Sequence, residues 1–419
     1  MAQLSAAEGV RAQVEGALTA NQVNLASPDG RERAEALIEE ALTAYQADAL
    51  TSNGDGSSEQ LEQIRRELRD DLLGLGQLAE RMLADPDAQE WMVNGPRRIF
   101  KDTGDRIERV TDIALPDDRA ALRILERLLE HVEGKRLDRI TPLIEARLPD
   151  GSRLTAAIPP ISSNGHVIFT IRRFRLKANT LDELVPLGML SQQAADFLAA
   201  CVRARKNIVV CGPVSSGKTT LLNALGGAIP GSERVVVCES GAELRLPDVL
   251  HNCVAYEARP DSADGLPGVT LDQLVASALR LNPSRILVGE CRGPETMAML
   301  WAFATGHAGM TSVHGESADH GLRNLARFAL TAGPHITTEQ ALDWLREIDI
   351  VVHCNRPSTY EHGEQRFLPR QVDEIVEVQG VEGTRLTTNP LFEDTGANLQ
   401  WLSTGPRFLN ELEHAGFAA

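Results

Sequence analysis

Gly212 to Thr219 read GPVSSGKT, which fits G-x-x-x-x-G-K-[ST] at every fixed position. A run of this kind holds the phosphates of a nucleoside triphosphate. Its glycines let the backbone curl so that successive N–H groups face phosphate oxygens, and a following helix adds the partial positive charge of its N-terminus. Gly212, Pro213, Val214, Ser215, Ser216 and Gly217 make the cradle, with Thr220 just beyond it. Lys218 is placed to reach the β and γ phosphates and Thr219 to hold Mg²⁺. The context agrees, since Asn207 to Cys211 (NIVVC) reads as a buried strand and Thr219 to Leu225 (TTLLNAL) as a helix.

Hydrolysis at such a loop requires Mg²⁺ and a carboxylate that orients or deprotonates water. Two acids stand at strand ends: Glu239 closes RVVVC (Arg234 to Cys238), and Glu290 follows RILV (Arg285 to Val288) and Gly289. Either suits the base and the metal. Ligands of parallel sheets collect at the carboxyl ends of the strands, so both should converge on the loop. His307 and His314 lie seven residues apart in TGHAGMTSVHGES, with His320 beyond. That stretch reads as a loop after a helix, placed to sense the γ phosphate or to link the site to a neighbouring subunit. Zinc fits poorly, because no cysteine or carboxylate falls at ligand spacing.

The chain of 419 residues exceeds what one core usually serves, and its apolar content of 42% is ample for two. A net charge of −17 argues against broad attraction to nucleic acid or to anionic lipid. The sequence lacks an apolar run of about 18 residues and a signal-peptide pattern at its start, so a cytoplasmic protein is expected. The six cysteines are dispersed and read as buried free thiols.

The elements that must position the loop follow in order. Residues 1–58 read as a helical extension, with apolar spacing at Ala34, Leu37, Ile38, Leu42 and Tyr45 and a flexible linker at Thr51 to Ser58 (TSNGDGSS). Residues 59–175 read as an α+β domain: a helix with Leu61, Ile64, Leu68 and Leu72 on one face, a turn at Asn94 to Pro96, a helix at Asp117 to Val132, a hairpin at Leu148 to Ser152 and a strand at His166 to Phe174. Residues 176–179 connect it to an α/β domain over 180–378, where strands alternate with helices (Leu271 to Leu281, Glu295 to Ala304) as in a parallel sheet. Residues 379–419 are left as a C-terminal extension.

The order GPVSSGKTT, VVVCESGAEL, RILVGECRG, TGHAGMTSVHG resembles the phosphate loop, acidic box, atypical Walker B and histidine box of secretion and pilus-assembly ATPases. Upstream, EWMVNGPRRIF, IEARLPDGSRLTAAIPP and FTIRRF resemble the N-terminal domain of the Tad/Flp-pilus branch. The resemblance spans roughly Leu61 to Val378. It implies a RecA-like phosphate-loop NTPase domain preceded by a PAS-like α+β domain and N-terminal helices. It also implies a ring, usually a homohexamer, at the cytoplasmic face of the membrane, hydrolysing ATP with Mg²⁺ and passing work to membrane platform proteins. By that resemblance Glu239 and Glu243 form the acidic box, Glu290 is the Walker B acid, and His307 and His314 are the histidine box. Arg172 and Arg173 match arginines of the N-terminal domain that approach the nucleotide, and Arg259 matches one after the acidic box.

Two departures stand out: Glu239-Ser240 where the family commonly has Glu-Asp, and Gly306-His307-Ala308-Gly309 where it commonly has Gly-His-Asp-Gly. The first removes a carboxylate from the acidic box, yet Glu239, Glu243 and Glu290 remain and hydrolysis is still expected. A DNA-handling ATPase of a conjugation system and a nucleotide-dependent scaffold of low turnover stay open as alternatives. A GTPase is disfavoured because no N-K-x-D follows.

Overall fold

The computed structural model describes all residues except 1–5, 22, 24–27, 52–56, 73–75, 131, 133–134, 174–177, 262–266, 362–363, 383–384, 396–398, 403–404 and 419. Most of the expected linker at 51–58 and half of the connection at 176–179 therefore lie outside the described residues. The chain divides into two units, Met1–Arg175 and Leu176–Ala419.

The first unit opens with α1 (Ala6–Ala20), α2 (Pro28–Thr51) and α3 (Ser58–Leu72), which close around Val14, Ile38, Leu42, Ile64 and Leu68. The sequence reading assigned α3 to the α+β domain. Its Leu61, Ile64 and Leu68 instead seal the core of this bundle, because α1 and α2 alone leave an apolar stripe uncovered. Next come α4 (Gly76–Ala84), β1 (Glu90–Val93), β2 (Ile99–Asp102), β3 (Ile107–Val110), α5 (Asp118–Leu129), β4 (Leu143–Arg147), β5 (Arg153–Ala157) and β6 (Ile168–Arg172). The six strands pair antiparallel in the order β3-β2-β1-β6-β5-β4. Their buried residues alternate, so Trp91, Val93, Phe169 and Ile171 share one core with Leu125 and Leu128 of α5. Asp117 caps α5 through the Ala120 N–H at 2.8 Å, a contact of about 1 kcal/mol.

The second unit contains α6 (Leu181–Leu184), α7 (Gln192–Arg203), β7 (Ile208–Gly212), α8 (Lys218–Gly227), β8 (Val235–Glu239), α9 (Leu246–Val249), β9 (Cys253–Glu257) and α10 (Leu271–Ala278). It continues through β10 (Arg285–Val288), α11 (Glu295–Ala304), β11 (Ala308–His314), α12 (Ala318–Leu330), α13 (Thr338–Trp344) and β12 (Ile350–Asn355). A small hairpin of β13 (Ser358–Glu361) and β14 (Glu364–Phe367) precedes β15 (Gln371–Glu382), β16 (Arg385–Asp394), β17 (Leu399–Trp401) and α14 (Leu409–His414). One nine-stranded sheet runs β17-β16-β15-β12-β7-β11-β10-β8-β9. The strands from β12 to β9 are parallel, and β15, β16 and β17 add on antiparallel. Apolar clusters cover both faces, as a parallel sheet requires.

Two sequence expectations change here. Residues 379–419 are no appendage: β15 to β17 extend the sheet, and Phe392, Trp401 and Phe417 pack their rings at 5.3, 5.5 and 5.5 Å from that of Phe197 in α7. Losing a buried Phe of this kind costs about 3 to 5 kcal/mol. The stretch expected to be a loop around His307 and His314 is largely the interior strand β11, between β7 and β10. Its small residues hid it from a propensity reading but suit its place. A Cβ on Gly309 would stand 2.2 Å from the Ile286 carbonyl oxygen and 2.4 Å from Phe303 Cε1.

Five of the six cysteines are buried and Cys253 is half-buried; burial pushes the thiols of Cys238, Cys291 and Cys354 up to about 12, which makes them poor nucleophiles. No helix among the described residues is long and apolar enough to cross a membrane.

Candidate active site

Strand β7 is buried along its whole length and delivers the chain into the loop at its carboxyl end. Within the loop Ser215 has φ 60° and Gly217 has φ 98°. Gly217 is the residue that lets α8 start at Lys218 without Cβ strain, since it tolerates the left-handed region. Pro213 and Ser215 are half-buried, Val214 is exposed, and Ser216 is buried. Lys218 is 7% exposed, and its Nζ donates to the carbonyl oxygens of Gly212 at 3.0 Å and Pro213 at 2.8 Å. Burial holds this ammonium below its usual pKa, with Glu290 opposing the shift. Thr219 Oγ1 donates to Glu243 Oε2 at 3.0 Å, while Thr220 is half-buried one position further along α8.

The acidic residues divide by geometry. Glu239 is 3% exposed, its Oε1 accepts the backbone N–H of Glu243 at 2.9 Å and of Leu244 at 3.1 Å, and its Oε2 accepts Leu244 at 3.3 Å. Both oxygens are therefore committed to the backbone, where they brace the turn that carries Glu243 to Thr219. Ser240 is exposed on that turn. Glu290, at the carboxyl end of β10, pairs with Arg292 through Oε2 and stands 3.0 Å from His314 Nε2 through Oε1.

His314 ends β11 and stands between these groups, with Nδ1 3.4 Å from Lys218 Nζ. Burial is the first cause that keeps its pKa below the ordinary histidine value, Lys218 the second, and Glu290 acts against them. The neutral ring accepts from Lys218 at Nδ1, which a proton on Nδ1 prevents, while its Nε2 lies 3.0 Å from Glu290 Oε1 without the alignment of a hydrogen bond. Because the folded-state pKa is lowered, the ring stays neutral through the ordinary histidine range, and the arrangement is lost only as pH falls through that lowered pKa. Turnover of the wild type should fall on that acidic limb, and His314→Asn should flatten it; initial rates between pH 5.5 and 8 check this.

Of the other residues singled out in the second unit, His307 and Arg259 are not gathered here. His307 follows the turn that leads into the opposite end of β11, with Nδ1 3.2 Å from Thr305 Oγ1 and 3.3 Å from the Ala302 carbonyl oxygen. At about 3.3 Å per residue, seven residues of strand separate it from His314 by roughly 23 Å. Arg259 follows β9, four strands from β7, and donates from Nη2 to the Pro267 carbonyl oxygen at 2.8 Å. Strand spacing of about 4.8 Å puts it roughly 19 Å across the sheet. Arg172 and Arg173 belong to the first unit: Arg172 is exposed opposite Glu90 at the end of β6, and Arg173 donates to the Asp85 carbonyl oxygen. Sequence reasoning passed over Arg292, which sits two residues from Glu290 in the same motif, and Arg370, whose Nε donates to the Ser215 carbonyl oxygen at 2.8 Å. The first was visible as part of GECRG; nothing local marks the second.

The site suits a magnesium triphosphate. Ser216 Oγ and Glu290 Oε1 are buried without a hydrogen-bond partner, one in the loop and one beside it. Buried polar atoms of this kind call for a ligand oxygen or water. Thr219, Glu243 and Glu290 offer oxygen donors only, which favours Mg²⁺ over softer metals.

The profile of the type II/IV secretion system protein family matches residues 76–381, more than half of the chain. The chain belongs to this family. Among its relatives, Rv3659c of Mycobacterium tuberculosis, provisionally named for conjugal transfer, is 36% identical over 260 residues, which is 61% of this chain and 72% of that one. The protein VirB11 of Agrobacterium fabrum is 29% identical over 314 residues, covering 67% of this chain and 89% of the relative. The solved structure of the Yersinia pseudotuberculosis ATPase DotB aligns with a TM-score of 0.51 at 16% identity over 72% of this chain and 79% of its own, a likeness of fold. A phosphate-loop α/β domain after an N-terminal α+β region is thus the architecture of this family member.

Proposed function

We propose that this secretion-family protein hydrolyses ATP with Mg²⁺ and that the hydrolysis drives assembly of a Tad/Flp-type pilus or protein secretion through a membrane-bound machine. The observation that carries the proposal is the convergence of Lys218, Thr219, Glu243, Glu290 and His314 at the carboxyl edge of one parallel sheet. Lys218 offsets charge on the β and γ phosphates, and the loop amides orient them. Thr219 and Glu243 would hold the metal, with Glu239 as their brace. Mg²⁺, when bound, neutralises charge that develops across the phosphate oxygens. Glu290 orients the attacking water and takes its proton, with His314 and Arg292 fixing the carboxylate in place. This order of roles gives Glu243 the metal duty read first for Glu239, because both Glu239 oxygens already serve the backbone.

A homohexameric ring, attachment to inner-membrane platform proteins and work at the cytoplasmic face belong to the same proposal. The motif order and the N-terminal stretches EWMVNGPRRIF and FTIRRF support the Tad/Flp branch. A second reading, a conjugative or type IV secretion motor, is favoured by the names of the relatives Rv3659c and VirB11.

Purified protein with ATP and Mg²⁺, with and without duplex DNA, tests the enzyme. Phosphate release indifferent to DNA is expected, whereas turnover that requires DNA and falls steeply with salt moves the reading to DNA handling. Absent turnover in an assembled ring leaves the scaffold. Gene deletion then separates the machines, by loss of surface filaments or loss of transfer.

A further inference from the structure

Arg370 comes to the phosphate loop from 155 residues further along the chain. It immediately precedes β15, the first strand of the antiparallel extension, and its Nε donates to the Ser215 carbonyl oxygen at 2.8 Å. Ser215 is the one loop residue with a side chain at positive φ, 60°. That conformation is unfavourable for a residue with a Cβ and persists only where the surroundings impose it. The same arginine also covers Gly217: a Cβ on that glycine would meet Arg370 Cδ at 3.2 Å and Met189 Cε at 3.0 Å. The segments that carry the two covering side chains are tied together, because the Val372 N–H donates to the Met189 carbonyl oxygen at 2.8 Å. Residues before α7 and residues before β15 thus form a clasp over the two left-handed positions of the loop.

Those two positions decide where the loop amides point, since alternation of right- and left-handed backbone turns successive N–H groups inwards into an anion-binding concavity. A loop held in that form beforehand binds phosphate without the cost of ordering itself. We propose that Arg370 is a positioning residue for the nucleotide, which presets the phosphate loop by fixing Ser215 and covering Gly217. The inference rests on the nucleotide reading of the site. It adds that the antiparallel extension, through β15, bears directly on nucleotide affinity.

The test compares wild type, Arg370→Ala and Arg370→Lys by binding of MgATP and MgADP, steady-state kinetics and hydrogen exchange of the peptide spanning 212–219. Arg370→Ala should weaken both nucleotides about tenfold together, raise KM with kcat within threefold, and speed exchange of the loop amides. Its unfolding temperature should stay near that of wild type. Arg370→Lys keeps the charge but lacks the planar Nε donor, and should stay within threefold of the alanine variant. Affinity unchanged in Arg370→Ala, or fully restored in Arg370→Lys, overturns the positioning role. Should wild type itself bind no nucleotide, it is the nucleotide reading that fails.

Discussion

Lys218→Ala should lower ATP turnover by about 100-fold or more, the scale on which losing one preorganised charge or donor at a phosphoryl-transfer site is felt. The side chain is 7% exposed and lies across the loop, held by the Gly212 and Pro213 carbonyls. Alanine removes an ammonium placed to follow charge from the β to the γ phosphate. It also leaves His314 Nδ1 without its donor at 3.4 Å. Nucleotide binding should weaken as well, since the same charge meets the ground-state phosphates. Phosphate release under saturating ATP, together with fluorescent-nucleotide binding, separates the two losses. Turnover in this variant within a few-fold of wild type would remove the phosphate loop from the chemistry and the motor reading with it.

The second large effect concerns Glu290→Gln. Glutamine keeps the shape and hydrogen-bonding reach of the side chain but neither its charge nor its basicity. The variant should bind MgATP within about threefold of wild type and hydrolyse it about 100-fold or more slowly, trapping ATP unhydrolysed. The expectation follows from position: Glu290 lies at the end of β10, held by Arg292 on one oxygen and facing His314 with the other. Rapid filtration of labelled nucleotide, followed by its chromatographic identification, distinguishes bound ATP from bound ADP. Normal hydrolysis would shift the general base to Glu243, the other carboxylate beside Thr219.

Much of this site was legible in the sequence because its parts are local. The loop carries its own strand, glycines, lysine and hydroxyl within the thirteen residues of NIVVCGPVSSGKT, and each residue type has a fixed job on phosphate. Glu290 was legible too, as the acid just past a short apolar strand, and the parallel alternation of elements placed both on one edge. The division of labour between the acids was not. Glu239 and Glu243 look alike in a sequence, and only the fold shows that the first spends both oxygens on the backbone N–H groups of residues 243 and 244.

The histidines show the same limit from another side. Seven residues suggest proximity in a loop, but β11 is extended, so its two ends face opposite edges of the sheet and His314 alone reaches Lys218. The strand escaped notice because Ala308, Gly309 and Ser312 carry little β propensity; packing against Phe303 and Ile286, not preference, makes them a strand. What the amino-acid order determined by itself was thus the chemistry on offer: a triphosphate cradle, acids at strand ends and the motifs of the type II/IV secretion family. The tertiary structure decided which carboxylate faces the loop, which histidine touches the lysine, and that Arg370, at the head of a strand two places from β7, closes over Ser215. Those are contacts between residues remote in sequence, and they arise only when burial of apolar strands brings the segments together.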